Sequence, residues 1–372
     1  MPPSAPSPRQ PTSKPITGVD PMLALQKTAP TTGFTATYDA PVPEPGAGEV
    51  LVAVTRAGVC GTDKGIFDWA PWTAEHVSLG VTVGHEFVGR VAAVGPGVTR
   101  VREGQRVSGE GHLTCGHCKP CRTGDSHVCR NVKVLGASVD GCFAEYVIVP
   151  ESNAWPVHDE ISDDVAAILD PIGNAMHTVM AAGVAGRTVL VTGAGVIGAI
   201  SIAIARAAGA GTIIATDISS RRRALALEMG ADHALEGDAP DWPEQARDLT
   251  DGDGPDVLLE MSGNPGAIQQ GLRSLRSGGN AALLGVPTEP VEIDLLNQVV
   301  FKGTTIRGVF GRRMFDTWYQ VENMLLGGRL RLDPVISHRI PIHDYEDAFA
   351  LMASGEAMKI VLVVDDLGVS SR

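Results

Sequence analysis

Four cysteines crowd into fifteen residues of this chain: "TCGHCKPCRTGDSHVC" sets Cys115, Cys118, Cys121 and Cys129 at the spacing C-x2-C-x2-C-x7-C. Thiolates so placed can close a tetrahedron around Zn²⁺ with no open position, which is a structural site. Cysteine runs also hold iron–sulfur clusters, so the ligand set by itself admits either metal. Clustered surface thiols without a metal would oxidise. His112 and His117 flank the run and could compete as ligands, but the simpler assignment leaves them out.

A different chemistry is open to Cys60, which stands alone in "GVCGTDKGIFDWAPW". Taken singly, such a cysteine is most often a core residue. His85 and Glu86 follow it 25 residues later in "VGHEFVG". Cysteine, histidine and an acid make a three-ligand zinc site with one position open to water or substrate. A metal so held is a Lewis acid for an alcohol oxygen, while a nicotinamide takes hydride.

The hydride acceptor has its own signature. "VLVTGAGVIGAISIA" contains Gly193-x-Gly195-x-x-Gly198 between an apolar strand and a helix. The first glycine permits the tight turn, the second lets the backbone approach a pyrophosphate, and the third lets helix and strand pack closely. The helix N-terminus then faces the phosphates. Asp217, at the end of the next strand, suits a ribose 2′-hydroxyl and repels a 2′-phosphate, favouring NAD over NADP. Arg221 and Arg222 follow that acid and could serve a 2′-phosphate, so NADP stays open on these residues alone.

These sites need elements to position them. The 372 residues are enough for two domains, with 44% hydrophobic and 20% charged residues. Residues 1–21, rich in Pro, Ser and Thr and without an apolar leader segment, read as a flexible extension. Residues 22–172 read as a β-rich domain, with the cysteine lobe at about 109–131, and the tail 311–372 mixes a helix with a terminal strand. Residues 173–310 alternate strand and helix, the pattern of a doubly wound parallel sheet in an α/β fold. The net charge of -13 argues against a broad nucleic-acid footprint. No run of 18 apolar residues indicates a membrane span. Six cysteines without a leader imply a reducing compartment, the cytoplasm.

The whole constellation resembles the zinc-dependent medium-chain alcohol dehydrogenase superfamily, and within it the threonine 3-dehydrogenase family. The residues carrying the likeness include "CGTD" (60–63), "GHEFVG" (84–89), "SGEGH" (108–112), "DPIGNAMHT" (170–178), "LEMSG" (259–263), "LLGVP" (283–287) and "GRRMFDTWY" (311–319). The resemblance implies a GroES-like catalytic domain made of 22–172 and 311–372, a Rossmann domain at 173–310, two zinc ions per chain and a homotetramer or homodimer. Cys60, His85 and Glu86 match the catalytic zinc ligands. Asp170 matches an acid near the metal, Thr62 a proton-relay hydroxyl, and His112 a position near the substrate. Ile197, Asp217, Arg222, Leu284, Gly285, Val286, Val309 and Phe310 match contacts to NAD. The implied reaction oxidises the secondary alcohol of L-threonine, a small-molecule substrate, to L-2-amino-3-ketobutyrate.

One position breaks the pattern. The family motif runs C-G-T-D-x-H, and its histidine completes the relay, whereas this chain has Gly65. Glycine cannot transfer a proton. Water and the cofactor ribose, Lys64 or His76 are the alternatives, or the substrate is another secondary alcohol: a polyol, sugar, cyclitol or amino alcohol. A non-catalytic NAD-binding protein of the same fold is the reading from another class. Arg312 and Arg313 are candidates for a substrate carboxylate, with a solvated face as the alternative.

Overall fold

The computed structural model of the chain describes residues 20–364. The extension expected at 1–21 lies outside them but for its last two residues. Two compact units emerge among them, 20–170 with 336–364, and Pro171–Val335.

The first unit is built on strand Glu49–Val59, an eleven-residue Val/Ala-rich segment. It pairs antiparallel with Glu86–Val94, Tyr146–Pro150 and Lys359–Val363. These belong to a seven-stranded sheet that also holds Arg106–Gly109, Ala154–Pro156 and Ile336–Pro341. A three-stranded sheet centred on Met22–Lys27 lies in the same unit. Val50, Val52, Phe87, Val107, Phe143, Phe349 and Leu362 share its main apolar core. The long strand sets the site by register: Gly58 stands opposite Glu86 on one side, while Val59 stands opposite Ile360 on the other. Cys60 follows at once, in extended conformation, as the N-cap of helix Gly61–Asp68.

The second unit holds six parallel strands in the order His233–Glu236, Ile213–Asp217, Val189–Thr192, Val257–Glu260, Asn280–Leu283, Thr305–Gly308. Numbered along the chain this is 3-2-1-4-5-6, the dinucleotide-binding order, with its switch point at the first strand. The inner strands are apolar because helices cover both faces of such a sheet. The arginines at 221–223 lie on helix Ser220–Glu228.

The second domain boundary differs from the sequence expectation. Residues 311–335 pack with the parallel-sheet unit, whose compact limits are Pro171 and Val335. Helix Asp316–Leu326 buries Thr317, Trp318 and Val321, and the turn Asp333–Val335 touches helices Val196–Ala207 and Ser220–Glu228. The segment falls outside the strand–helix alternation, so periodicity had no means of assigning it. Among the described residues, no helix is long and apolar enough to cross a membrane.

Candidate metal and nucleotide sites

The lone cysteine does not stay alone in the fold. Cys60 Sγ lies 3.4 Å from His85 Nε2, and the ligand atoms of Cys60, His85 and Glu86 all fall within 4.8 Å of one another. His85 presents Nε2 to the thiol because its other nitrogen faces Asp63. Asp63 is fully buried, accepts the Cys60 backbone N–H at 2.9 Å and stands 3.6 Å from His85 Nδ1. That is the carboxylate–histidine arrangement that orients a metal ligand. Glu86 is held from behind by Lys359, whose Nζ is 2.5 Å from Oε2 and which also donates to the Val59 carbonyl at 2.8 Å. Asp170 borders the cluster: a Cβ at Gly111 would lie 3.3 Å from the His85 Cβ and 3.6 Å from Asp170 Oδ2.

The electrostatics of this pocket call for a cation. Burial pushes the Cys60 thiol up, and Asp63 adds to the effect while His85 opposes it. Burial also pushes the Glu86 carboxyl up, against the pull of Lys359. Burial by itself lowers the His85 ring, but Cys60 and Asp63 overcome it and hold the ring well above its ordinary range. One sulfur, one nitrogen and one oxygen converge in a buried pocket where burial disfavours the ionised thiol and carboxylate. Zn²⁺ fits that donor set and leaves the open position of a catalytic centre.

The four-cysteine lobe fits a closed site. Cys118 Sγ lies 3.4 Å from Cys121 Sγ and 3.8 Å from Cys129 Sγ, and Cys129 lies 3.6 Å from Cys115. A tetrahedron with Zn–S of about 2.3 Å has edges near 3.8 Å. Backbone N–H groups of His117 and Cys118 hold the Cys115 thiol at about 6, while burial and the neighbouring thiols push Cys121 up to about 12. Among the described residues the cluster comprises the four sulfurs alone. His117 turns its Nδ1 to the Cys115 carbonyl at 2.8 Å. His112 is half-buried on the short strand His112–Leu113, with its N–H on Glu110 at 2.8 Å.

In the parallel-sheet unit the three glycines take three distinct places. Gly193 has φ +85°, and a Cβ there would meet Ser262 at 2.8 Å. Gly195 caps helix Val196–Ala207, and nothing lies within 4 Å of where its Cβ would be, leaving the backbone open to a ligand. A Cβ on Gly198 would strike the Gly193 carbonyl at 1.9 Å. Asp217 is buried at the end of its strand, and its two oxygens accept the N–H groups of Ala194 and Ser219, each at 2.9 Å. Arg222 approaches the same carboxylate at 3.9 Å. Ile197 sits in the first helical turn beside these loops. Leu284, Gly285 and Val286 follow strand Asn280–Leu283, with Val286 exposed, and Val309 and Phe310 follow strand Thr305–Gly308. These positions thus stand at the carboxyl ends of their strands, where open α/β sheets bind ligands.

The model of the alcohol dehydrogenase GroES-like domain matches residues 46–159, and that of the zinc-binding dehydrogenases matches residues 196–326. The chain belongs to the zinc-binding dehydrogenase family. Among relatives of this dehydrogenase, the L-threonine 3-dehydrogenase of Chromobacterium violaceum is 43% identical over 92% of this chain and 99% of its own. That of Legionella pneumophila strain Corby is 45% identical over 87% and 95%. The 2R,3R-butanediol dehydrogenase of Bacillus subtilis has a similar structure, with TM-score 0.83 and 27% identity over 92% of this chain and 99% of its own.

The structure also sorts the residues around the missing relay histidine. Lys64 is ion-paired with Asp68, one turn along the same helix. The space over Gly65 is taken by an indole: a Cβ there would lie 2.9 Å from Trp72 Cζ2 and 3.2 Å from its Nε1. His76 hangs on the Trp72 carbonyl through Nδ1 at 2.7 Å and is exposed. Thr62 is exposed on the first turn of helix Gly61–Asp68. Arg312 is fully buried, so it forms no solvated face; its side chain packs on Gly173 and reaches Asn174 Oδ1 at 3.4 Å.

Asp63 and Lys359 of this dehydrogenase escaped the sequence reading. Asp63 lies inside "CGTD" and could have been found from its position three residues after the cap cysteine, the capping-box spacing. Lys359 gives no such signal, because only the pairing of both neighbouring strands with Glu49–Val59 brings it to Glu86.

Proposed function

We propose that this dehydrogenase oxidises the C3 hydroxyl of L-threonine, giving L-2-amino-3-ketobutyrate, NADH and a proton. Hydride passes from C3 to the nicotinamide of NAD⁺, and the hydroxyl proton leaves to solvent. The reading rests on 43–45% identity to L-threonine 3-dehydrogenases over nearly the whole chain. Cys60, His85 and Glu86 would hold the catalytic zinc, which supplies Lewis acidity to the alcohol oxygen. Thr62 offers a solvent-facing hydroxyl to the departing proton, and Asp170, beside His85, is the nearby acid. Asp217, fixed by two backbone N–H groups, meets the ribose hydroxyls and would repel a 2′-phosphate, which supports NAD over NADP.

NADH formation over a panel of L-threonine, L-allo-threonine, D-threonine, 2-amino alcohols and polyols tests the substrate. L-threonine should show the highest kcat/KM. A polyol ahead of it by about tenfold, some 1.4 kcal/mol in transition-state binding, would replace this reading with a polyol dehydrogenase. Gly65 keeps that second reading in view, since the position departs from the family motif.

Gly65→His probes the same departure. A relay base is ordinarily worth about 10²–10⁴-fold. Here the new side chain must first displace Trp72, so the single variant should change kcat near neutral pH by less than about threefold. Gly65→His with Trp72→Ala should raise it. A tenfold gain in the single variant would show that the indole yields freely.

We further propose that the chain assembles through strand Thr305–Gly308. It ends the parallel sheet with one edge unpaired among the described residues, and Leu295, Leu296, Val300 and Phe301 are exposed in the segment before it. An edge strand flanked by apolar surface favours pairing with a second copy. Light scattering should give two or four chains per particle, and a monomer at micromolar concentration would refute the assembly.

A further inference from the structure

One buried carboxylate has no part in the chemistry above. Glu260 ends strand Val257–Glu260 and is fully buried. Its Oε1 accepts the Ser262 N–H at 2.9 Å, the Gly263 N–H at 3.2 Å and the Thr192 hydroxyl at 3.3 Å, and it also takes the Ser262 hydroxyl. Oε2 shares the Gly263 N–H at 3.2 Å. Its backbone carbonyl accepts the N–H groups of Leu284 and Gly285 at 3.0 and 3.1 Å. Every one of these donors is neutral. A carboxylate buried among neutral donors is expensive unless its oxygens are satisfied, and charge makes each bond it accepts stronger than a neutral one.

The donors come from the ends of three adjacent strands, Val189–Thr192, Val257–Glu260 and Asn280–Leu283. The loops that follow are packed through contacts only glycine permits. A Cβ on Gly193 would meet Ser262 at 2.8 Å, one on Gly263 would meet the Val286 carbonyl at 2.6 Å, and one on Gly285 would meet the Gly263 nitrogen at 2.2 Å and Glu260 Oε2 at 2.6 Å. Two of these loops carry Gly193–Gly195 and Leu284–Val286, the positions given above to the dinucleotide. Glu260 sits at their junction and joins them.

We propose that Glu260 is a positioning residue for the dinucleotide: its charged carboxylate locks the end of strand Val189–Thr192 onto the Ser262–Gly263 loop, against which Gly193 and the Leu284–Val286 turn pack, and so holds the sheet's switch point in the shape that receives NAD. The proposal rests on the reading of this unit as an NAD site. Glu260→Gln keeps the shape, removes the charge and turns an N–H donor toward donors already present. In the zinc-loaded enzyme, NADH titrated by its fluorescence should bind about tenfold more weakly or worse, the loss expected when charge-assisted bonds become neutral. KM for NAD⁺ should rise by more than kcat falls, with zinc content unchanged, at a temperature well below the melting point of both proteins. Thr192→Val and Ser262→Ala each remove one hydroxyl donor and should weaken NADH binding by a smaller factor. Combined with Glu260→Gln, either should add less than its separate effect, because both act through the same carboxylate. NADH affinity within twofold of wild type in Glu260→Gln, even with a lower melting temperature, would overturn the proposal and leave Glu260 a purely structural group. Should Glu260→Gln fail to fold, the two hydroxyl variants decide: weakened binding in either supports the proposal, and wild-type affinity in both overturns it. A wild-type enzyme that binds no NADH would instead sink the dinucleotide reading itself.

Discussion

Cys60→Ser should reduce turnover of the zinc-loaded enzyme by about 10³-fold or more while leaving NADH affinity within twofold of wild type. The magnitude follows from the metal's part in the reaction. Lewis-acid polarisation of an alcohol oxygen is worth several kcal/mol, and each 1.36 kcal/mol is tenfold in rate. Serine is nearly the same size but offers a neutral hydroxyl where zinc requires a thiolate. The Cys60 thiol is already pushed up by burial and by Asp63, with His85 opposing, so a bound cation favours its ionised form. Remove it, and His85 and Glu86 remain with too few ligands. Metal analysis should therefore fall from two zinc ions toward one per chain, the survivor held by Cys115, Cys118, Cys121 and Cys129. NADH binding should survive because the positions assigned to it belong to the separate unit Pro171–Val335. Retention of both metals with substantial activity would return Cys60 to a packing role.

How much of this was legible in the sequence depended on whether the information was local. Spacing alone located the four sulfurs, since all lie in one loop, and the glycine loop with Asp217, since strand, turn, helix and strand follow one another. Cys60, His85 and Glu86 were legible as residue types, and the structure brings their ligand atoms together. What could not be read was whatever depends on packing between distant segments. The consequence of Gly65 is one example: the sequence shows a missing side chain, while the fold shows an indole from seven residues on occupying its place. Arg312 is another, because its burial against helix Leu169–Ala182 is set by the packing of 311–335, a segment outside the strand–helix alternation. Glu260 was visible inside "LEMSG", yet nothing local announces that its carboxylate ties the end of strand Val189–Thr192 to the loop after its own strand.

The clearest case of non-local information is the pair Glu86–Lys359, and breaking it should have the largest effect on stability. Both side chains are 2% exposed, with Nζ and Oε2 2.5 Å apart. Burial works to lower the Lys359 ammonium, but Glu86 holds it above its ordinary range, so the lysine stays charged. In the zinc-free protein, where no cation holds Glu86, removing one member of the buried pair strands the other charge and costs about 3–5 kcal/mol. For a unit of this size that is a fall in melting temperature of roughly 10 °C. Lys359→Met should therefore destabilise the enzyme strongly although it lies outside the metal's ligand set. It should also lower turnover, since Glu86 loses the contact that fixes its carboxylate beside Cys60 and His85. Adding Glu86→Leu removes the stranded charge, so the double variant should recover much of the lost stability and none of the activity. That split separates the pair's two roles, because melting follows charge balance in the core whereas turnover follows the carboxylate itself. A double variant as unstable as Lys359→Met would mean that the lysine acts through its bond to the Val59 carbonyl, holding the strand that delivers Cys60, and that Glu86 is not its principal partner.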